Sequence, residues 1–191
     1  MNPTKLIVHR RPSLRLQTWD YSWPWWYYVT IVVNGRQKIL GSVVDNKMQF
    51  SSLGEIVWDK WQGISKQYVG AEVDDCVVMP NHFHGIIIIN DQSVGAIHES
   101  PLQTETLNPV HEEYIKQRRH MTLSKIIGWF KMNSAKEINL RQRTPGCTVW
   151  QRGFYDHVIR NEADLHRIRT YIQNNPLQWS LDEENPDNVR D

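Results

Sequence analysis

The stretch Val73-Asp74-Asp75-Cys76-Val77-Val78-Met79-Pro80-Asn81-His82-Phe83-His84-Gly85-Ile86-Ile87-Ile88-Ile89-Asn90 decides how this chain is read. Two apolar, β-branched runs flank Pro80-Asn81. That pattern predicts a hairpin-like pair of strands turning near the proline, with His82 opening the second strand. Successive strand side chains alternate faces, so His82 and His84 point one way and Phe83 the other. Two imidazoles side by side on a stiff strand can offer two nitrogens to one metal ion. The competing reading is a pair of surface histidines. It is weakened by the adjoining Ile86–Ile89 run, beside which an unpaired polar pair would be costly to bury.

Working outward, Ser52-Leu53-Gly54-Glu55 reads as a capping box opening a helix before the strand pair, with Leu53, Val57, Trp61, Ile64 and Tyr68 at helical spacing. Further upstream, Trp23 to Val33 is rich in aromatic and β-branched residues, and its second half predicts a strand ending at Asn34-Gly35. Its Trp/Tyr cluster suits core packing, or stacking on unpaired bases. Residues 1–20 form a polar, basic arm. Downstream, residues 91–121 lose periodicity and predict a loop insertion, in which His98, His111 and His120 read as solvated. A second helix is expected over about 122–140, a further strand over 149–160, and a last helix capped by Asn161 and ended by Asn175-Pro176. The remainder, 181–191, is an acidic tail expected to be loosely ordered.

The resulting order of strand, helix, strand, strand, helix, strand is that of a ferredoxin-like α+β fold, an antiparallel sheet with helices on one face. A C-terminal helix is added to it, and residues 21–180 make one domain. With 191 residues and 40% apolar content, one sizeable core can be buried. The two cysteines, Cys76 and Cys147, lack metal-site spacing and suit a reducing, cytoplasmic setting. No run approaches the ~20 apolar residues of a membrane helix. The net charge of +1 conceals segregation. Residues 115–160 carry ten Lys/Arg against two acids, residues 1–16 carry four Lys/Arg and no acid, and residues 45–114 carry eleven acids against three lysines. Such asymmetry suits a polyanion-binding face, although a scattered solvated surface gives the same count.

On the last helix Tyr171 and Asn175 are one turn apart on one face, beside the apolar stripe of Leu165, Ile168 and Ile172. Both could overhang the edge where the histidines emerge. A tyrosine oxygen can attack a phosphodiester, given a base, a cation or a metal to help it. The Asn175 carbonyl would complete a His82, His84, Asn175 ligand set suited to Mg²⁺ or Mn²⁺, with positions left open for phosphate oxygens. A tyrosine that merely packs its helix is the plainer alternative.

Three ordered motifs add weight: M-P-N-H-F-H-G (79–85), W-Q-R-G-F-Y-D-H-V-I-R (150–160) and Y-I-Q-N-N-P (171–176). With R-R-P-S-L-R-L (10–16) and L-G-E-I-V (53–57), the chain resembles the REP-associated tyrosine transposases, a branch of the single-tyrosine HUH transposases. The resemblance implies that His82 and His84 are the metal-binding pair, Tyr171 the nucleophile and Asn175 the third ligand. It implies a metal-dependent single-stranded DNA endonuclease and strand transferase that leaves a 5′-phosphotyrosine and a free 3′-hydroxyl near hairpin-forming repeats. The partner would be single-stranded or hairpin DNA, with monomer and homodimer both open and no membrane involved. Candidate DNA contacts are Arg10, Arg11 and Arg15, then Lys125, Lys131 and Lys136 on the second helix, then Arg152, Tyr155 and His157. The alternative is a domesticated, non-cleaving binder of structured single strands. The least family-like part is 91–121.

Overall fold

Alternating burial along Trp25–Val32 (β1) buries Tyr27, Val29 and Ile31 completely on one face, as aromatic and β-branched residues favour in a two-layered sheet. The computed structural model describes residues 24–90, 122–182 and 184–188. The basic arm with Arg10, Arg11 and Arg15, and the 91–121 segment with its histidines, lie outside the described residues.

After β1 comes a small hairpin, Gly41–Val44 (β2) and Lys47–Phe50 (β3), which sequence patterning does not reveal. Its turn residues Asp45 and Asn46 both have positive φ (50° and 59°), the geometry of a tight two-residue hairpin turn. Helix α1 (Ser52–Gln62) follows, and its cap is Ser51, not Ser52. The Ser51 hydroxyl accepts from the Leu53 and Gly54 amides, both at 3.2 Å. The helix breaks at Gly63, and Ile64–Gln67 (α2) leads into Ala71–Val78 (β4) and His82–Ile89 (β5). A long helix, Thr122–Gln142 (α3), precedes Tyr155–Val158 (β6). The strand expected over 149–160 is shorter because Gly153, at φ 80°, interrupts it, leaving a lone bridge between Val33 and Trp150. Glu162–Asn174 (α4) closes the domain, with Asn161 accepting from the Asp164 amide at 2.9 Å as expected. Among the described residues no helix is long and apolar enough to cross a membrane.

The main sheet is antiparallel, in the order β4-β5-β1-β6. With α1 and α3 as crossovers, this is the ferredoxin-like arrangement. Register assigns the faces. Phe83 and Ile87 of β5 share one face with Tyr27, Val29 and Ile31, covered by Ile56, Val57 and Trp61 of α1 and by Ile126, Ile127 and Phe130 of α3. The other face carries Tyr28, Thr30, His84 and Ile86, and α4 lies across it. Leu165, Ile168 and Ile172 of α4 pack on Tyr28, Ile86 and Ile159 there. Burying each such aliphatic side chain stabilises the helix's seat by about 1.5–3 kcal/mol. Polar contacts fix the outer edge of α4. A register shift between Val73 and Cys76 bulges β4, and Arg169 bonds Asp74 (Nε at 3.1 Å) while Gln173 bonds Asp75 (2.8 Å).

The glycine of H-F-H-G is explained by this packing. A Cβ at Gly85 would stand 2.5 Å from the Trp61 indole, which is itself fully buried. Gly85→Ala should therefore lower unfolding stability by about 1–3 kcal/mol in urea denaturation, as overpacking does. An unchanged midpoint would show that Trp61 can yield freely.

Candidate active site

The central strand β5 delivers His82 and His84 to the α4 face, where their residues are 0% and 4% exposed. Each ring is held through Nδ1. His82 Nδ1 lies 2.9 Å from Asn81 Oδ1. The Asn81 amide nitrogen is committed to two carbonyl acceptors, Arg36 O (3.1 Å) and Glu184 O (2.6 Å). Its oxygen must therefore accept from His82 Nδ1–H, which leaves Nε2 with a lone pair facing the site. His84 Nδ1 lies 2.7 Å from the Tyr28 hydroxyl and 2.9 Å from that of Thr30.

Asn175, the first residue beyond α4, is 1% exposed, lines the same cleft as His84 and lies close enough to His82 to act on its ring. His82 Nε2, His84 Nε2 and Asn175 Oδ1 are all buried and none makes a hydrogen bond. Three orphaned lone pairs converging in a dry site are costly unless a shared partner offsets them, and one cation would satisfy all three. Asp182 joins them: its carboxylate is 3.8 Å from His82 Nε2, and one ligand atom each from His82, His84 and Asp182 lie within 4.8 Å of one another. Two imidazoles, an amide oxygen and a carboxylate fit a divalent ion that keeps positions free for substrate.

Tyr171 stands over this group, with its ring edge-on to His84 at 5.4 Å and to Tyr28 at 6.3 Å between centroids. At 42% exposed, it is open to an incoming chain. It borders a cleft of about 790 Å³ that is also lined by Tyr28, Thr30, His84, Arg152, Tyr155, Asn175 and Asp182. The structure thus brings together Tyr171, Asn175, both histidines, Arg152 and Tyr155.

It separates others. Helix α3 is on the opposite face of the sheet, so Lys125, Lys131 and Lys136 do not line the cleft. Lys131 is turned inward instead. Its ammonium donates to Gln151 O (2.7 Å) and Gly153 O (2.5 Å), and burial pulls its pKa down to about 8. It therefore holds the loop that carries Arg152. His157, expected among the DNA contacts, bonds Asp164 at 2.8 Å instead and ties β6 to the first turn of α4. Of the aromatic cluster, Tyr27 is core, Trp26 packs under Arg169, and Trp25 donates to Ile159 O at 2.7 Å.

The sequence pattern alone does not reveal Tyr28, Thr30 and Asp182 as site residues. Tyr28 and Thr30 share a β1 face, but only the β1–β5 register puts Thr30 opposite His84. Asp182 returns through the 3-10 turn Pro176–Leu181. Two described residues of the acidic tail beyond it are held by ion pairs, Glu184 by Arg36 at 2.8 Å and Asp187 by Lys38 at 2.6 Å.

Burial dominates the electrostatics of both rings. It pushes the pKa of His82 down to about 4, opposed in part by the Asp182 carboxylate and the Asn175 amide. It pushes His84 well below the usual range, and the neighbouring His82 adds to that. An unfolded histidine titrates near 6.5, so the unfolded chain takes up protons first as pH falls. Stability is fully present above about pH 6.5 and is lost progressively toward pH 4. Metal-free protein should lose on the order of 4 kcal/mol between pH 7 and 5 in urea titrations, roughly 2 for each histidine. Replacing both histidines with glutamine should flatten that slope, and equal slopes would contradict a buried neutral pair.

Among known families, the one described as "Transposase IS200 like" matches residues 107–175, which include Arg152, Tyr171 and Asn175. An uncharacterized protein of Haemophilus influenzae is 32% identical over 176 residues, covering 92% of this chain and 93% of that one. A REP-associated tyrosine transposase bound to a REP hairpin is similar at TM-score 0.49 and 16% identity, over 86% of this chain and 74% of its own. A candidate transposase from Deinococcus radiodurans is similar at TM-score 0.42 and 17% identity, over 84% and 97%. The stretch 107–175, with Arg152, Tyr171 and Asn175, is thus similar to the IS200-like transposases, and the Haemophilus influenzae protein is a relative over nearly the whole length.

Proposed function

We propose that this protein is a transposase that cuts and rejoins single-stranded DNA near hairpin-forming repeats, as a REP-associated enzyme, with Tyr171 as the nucleophile. The observation that carries the reading is the juxtaposition of an accessible Tyr171 with three orphaned buried lone pairs, on His82, His84 and Asn175. The Tyr171 oxygen attacks phosphorus, the bond from phosphorus to the 3′-oxygen breaks, and the phenolic proton passes to solvent as the leaving 3′-oxygen gains one. The 5′-phosphate stays on Tyr171. A second 3′-hydroxyl reverses the step without ATP, because the phosphodiester energy is conserved in the covalent link. His82, His84 and Asn175, with Asp182 beside them, would hold Mg²⁺ or Mn²⁺. When bound, that ion supplies charge to polarise the scissile phosphate. Arg152 lines the same cleft and supplies a guanidinium to grip a neighbouring phosphate.

The Tyr171→Phe variant tests the chemistry. It removes one oxygen from a half-exposed ring, so folding and hairpin affinity should persist. Cleavage, and any DNA–protein adduct that survives denaturing electrophoresis, should vanish. Mass spectrometry of the wild-type adduct should place the nucleotide on Tyr171. An adduct on Tyr155, or undiminished cutting, would overturn the assignment. Wild-type binding without cutting in either metal would favour the non-cleaving binder.

A second test addresses the grip on DNA. Arg152→Ala should weaken binding of a hairpin with single-stranded flanks and lower the slope of log affinity against log salt by about 0.7–0.9, the loss of one phosphate contact. An unchanged slope would remove Arg152 from the phosphate path.

A further inference from the structure

The tyrosine and the metal ligands are linked by side chains that the reaction itself does not consume. The Tyr28 hydroxyl, on a residue 8% exposed, lies 2.7 Å from His84 Nδ1 and also interacts with the side chain of Tyr171. Thr30 Oγ1 lies 2.9 Å from the same Nδ1 and donates its hydroxyl hydrogen to the Tyr28 oxygen at 3.2 Å. The ring of Tyr28 stacks on His84, 5.6 Å between centroids and 20° from parallel, so its reach is fixed.

With the Thr30 hydroxyl donating to Tyr28, hydrogen counting around these atoms leaves two states. In one, the Tyr28 O–H is donated to His84 Nδ1. A neutral ring then carries its hydrogen on Nε2, the atom that faces the orphaned group, and cannot ligate through it. In the other, Nδ1–H is donated to Thr30 Oγ1 and the Tyr28 oxygen. Thr30 has already spent its own hydrogen on Tyr28, so its oxygen is free to accept. The Tyr28 O–H then has one partner left, Tyr171. The tautomer that frees His84 Nε2 for a metal is the tautomer that turns the Tyr28 hydrogen toward the nucleophile.

We propose that Tyr28 and Thr30 are a pair of positioning residues that couple metal ligation at His84 to a hydrogen bond donated by Tyr28 to the Tyr171 oxygen. Thr30 acts on the metal side alone. Tyr28 acts on both, because its hydrogen stabilises charge on the attacking oxygen once the histidine releases it. This rests on the reading of Tyr171 as nucleophile given above.

The experiment uses the full chain, Mn²⁺, and a DNA hairpin oligonucleotide with single-stranded flanks. Mn²⁺ affinity is measured by electron paramagnetic resonance without DNA, and adduct formation is timed across Mn²⁺ concentrations. Thr30→Val should weaken Mn²⁺ binding by about 10-fold, the effect of removing an outer partner of a ligating histidine. Its rate deficit should shrink as Mn²⁺ rises. Tyr28→Phe should retain hairpin binding, lose a few-fold in Mn²⁺ affinity, and keep a rate deficit of about 10- to 100-fold at saturating Mn²⁺. The inference falls if Thr30→Val binds Mn²⁺ like wild type, a result that does not depend on whether Tyr28→Phe folds. It falls equally if Tyr28→Phe reacts at the wild-type rate at saturation, while a cutting wild type leaves the assignment of Tyr171 standing. A wild-type chain that forms no adduct removes the proposed function and this coupling together.

Discussion

Two neutral imidazoles buried on one face of a central strand set the terms for everything around them. A histidine taken out of water keeps its polar atoms only where each has a partner, and the hydrogen bonds that orient His82 and His84 are made at Nδ1. The partners come from three directions: the turn before β5 (Asn81), the neighbouring strand β1 (Tyr28 and Thr30), and, beyond Nε2, the end of α4 (Asn175) and the tail (Asp182). Their placement depends on register. Shifting β5 by one residue would turn Phe83 toward α4 and the histidines into the core beneath α1 and α3. Apolar packing on both faces forbids this, since Phe83 contacts Trp61 and Phe130 on one side while Ile86 meets the α4 stripe on the other. The site inherits its precision from the two cores that sandwich the strand.

The same economy governs α4. Its apolar stripe seats it on Tyr28, Ile86 and Ile159, and its outer edge is pinned by Arg169 and Gln173 to the two aspartates of the β4 bulge. A helix fixed along both edges cannot roll, so Tyr171 and Asn175, one turn apart, keep a constant relation to the histidines. The helix ends where Pro176 follows Asn175, and the 3-10 turn after it brings Asp182 back to the site. One terminus therefore supplies the candidate nucleophile, an amide ligand and a carboxylate within a dozen residues.

What could be read beforehand followed from local rules. Strand alternation placed both histidines on one face, helical spacing paired Tyr171 with Asn175, and element order was enough for the sheet topology. The failures share a different cause. Tyr28 and Thr30 become site residues through pairing with a strand more than fifty positions away, and Asp182 through a turn whose direction depends on packing. The strands of the β2–β3 hairpin, four residues each, are too short to show alternation. Lys131, on sequence alone, counts among the candidate DNA contacts of the second helix. Its long stem instead carries the ammonium to two carbonyls of the 151–153 loop, a contact set by tertiary structure.

The charges lining the cleft limit how a nucleic acid can use it. Arg152 is exposed there, but Asp182 sits at the histidines and Glu184 is already neutralised by Arg36. A phosphate brought up to Tyr171 without a metal would meet the Asp182 carboxylate and two uncharged rings, which is a repulsive setting in a partly dry site. A divalent ion reverses that sign. On the proposed reading, metal and scissile phosphate then strengthen each other's binding, and thermodynamic linkage makes the two gains equal. Phosphates farther along the strand are indifferent to the metal and depend on basic residues such as Arg152. Affinity for the hairpin as a whole can thus stay high while placement of the one phosphate to be cut waits on the ion. On that reading the site separates holding DNA from cutting it, through His82, His84, Asn175 and Asp182 as the proposed holders of the ion.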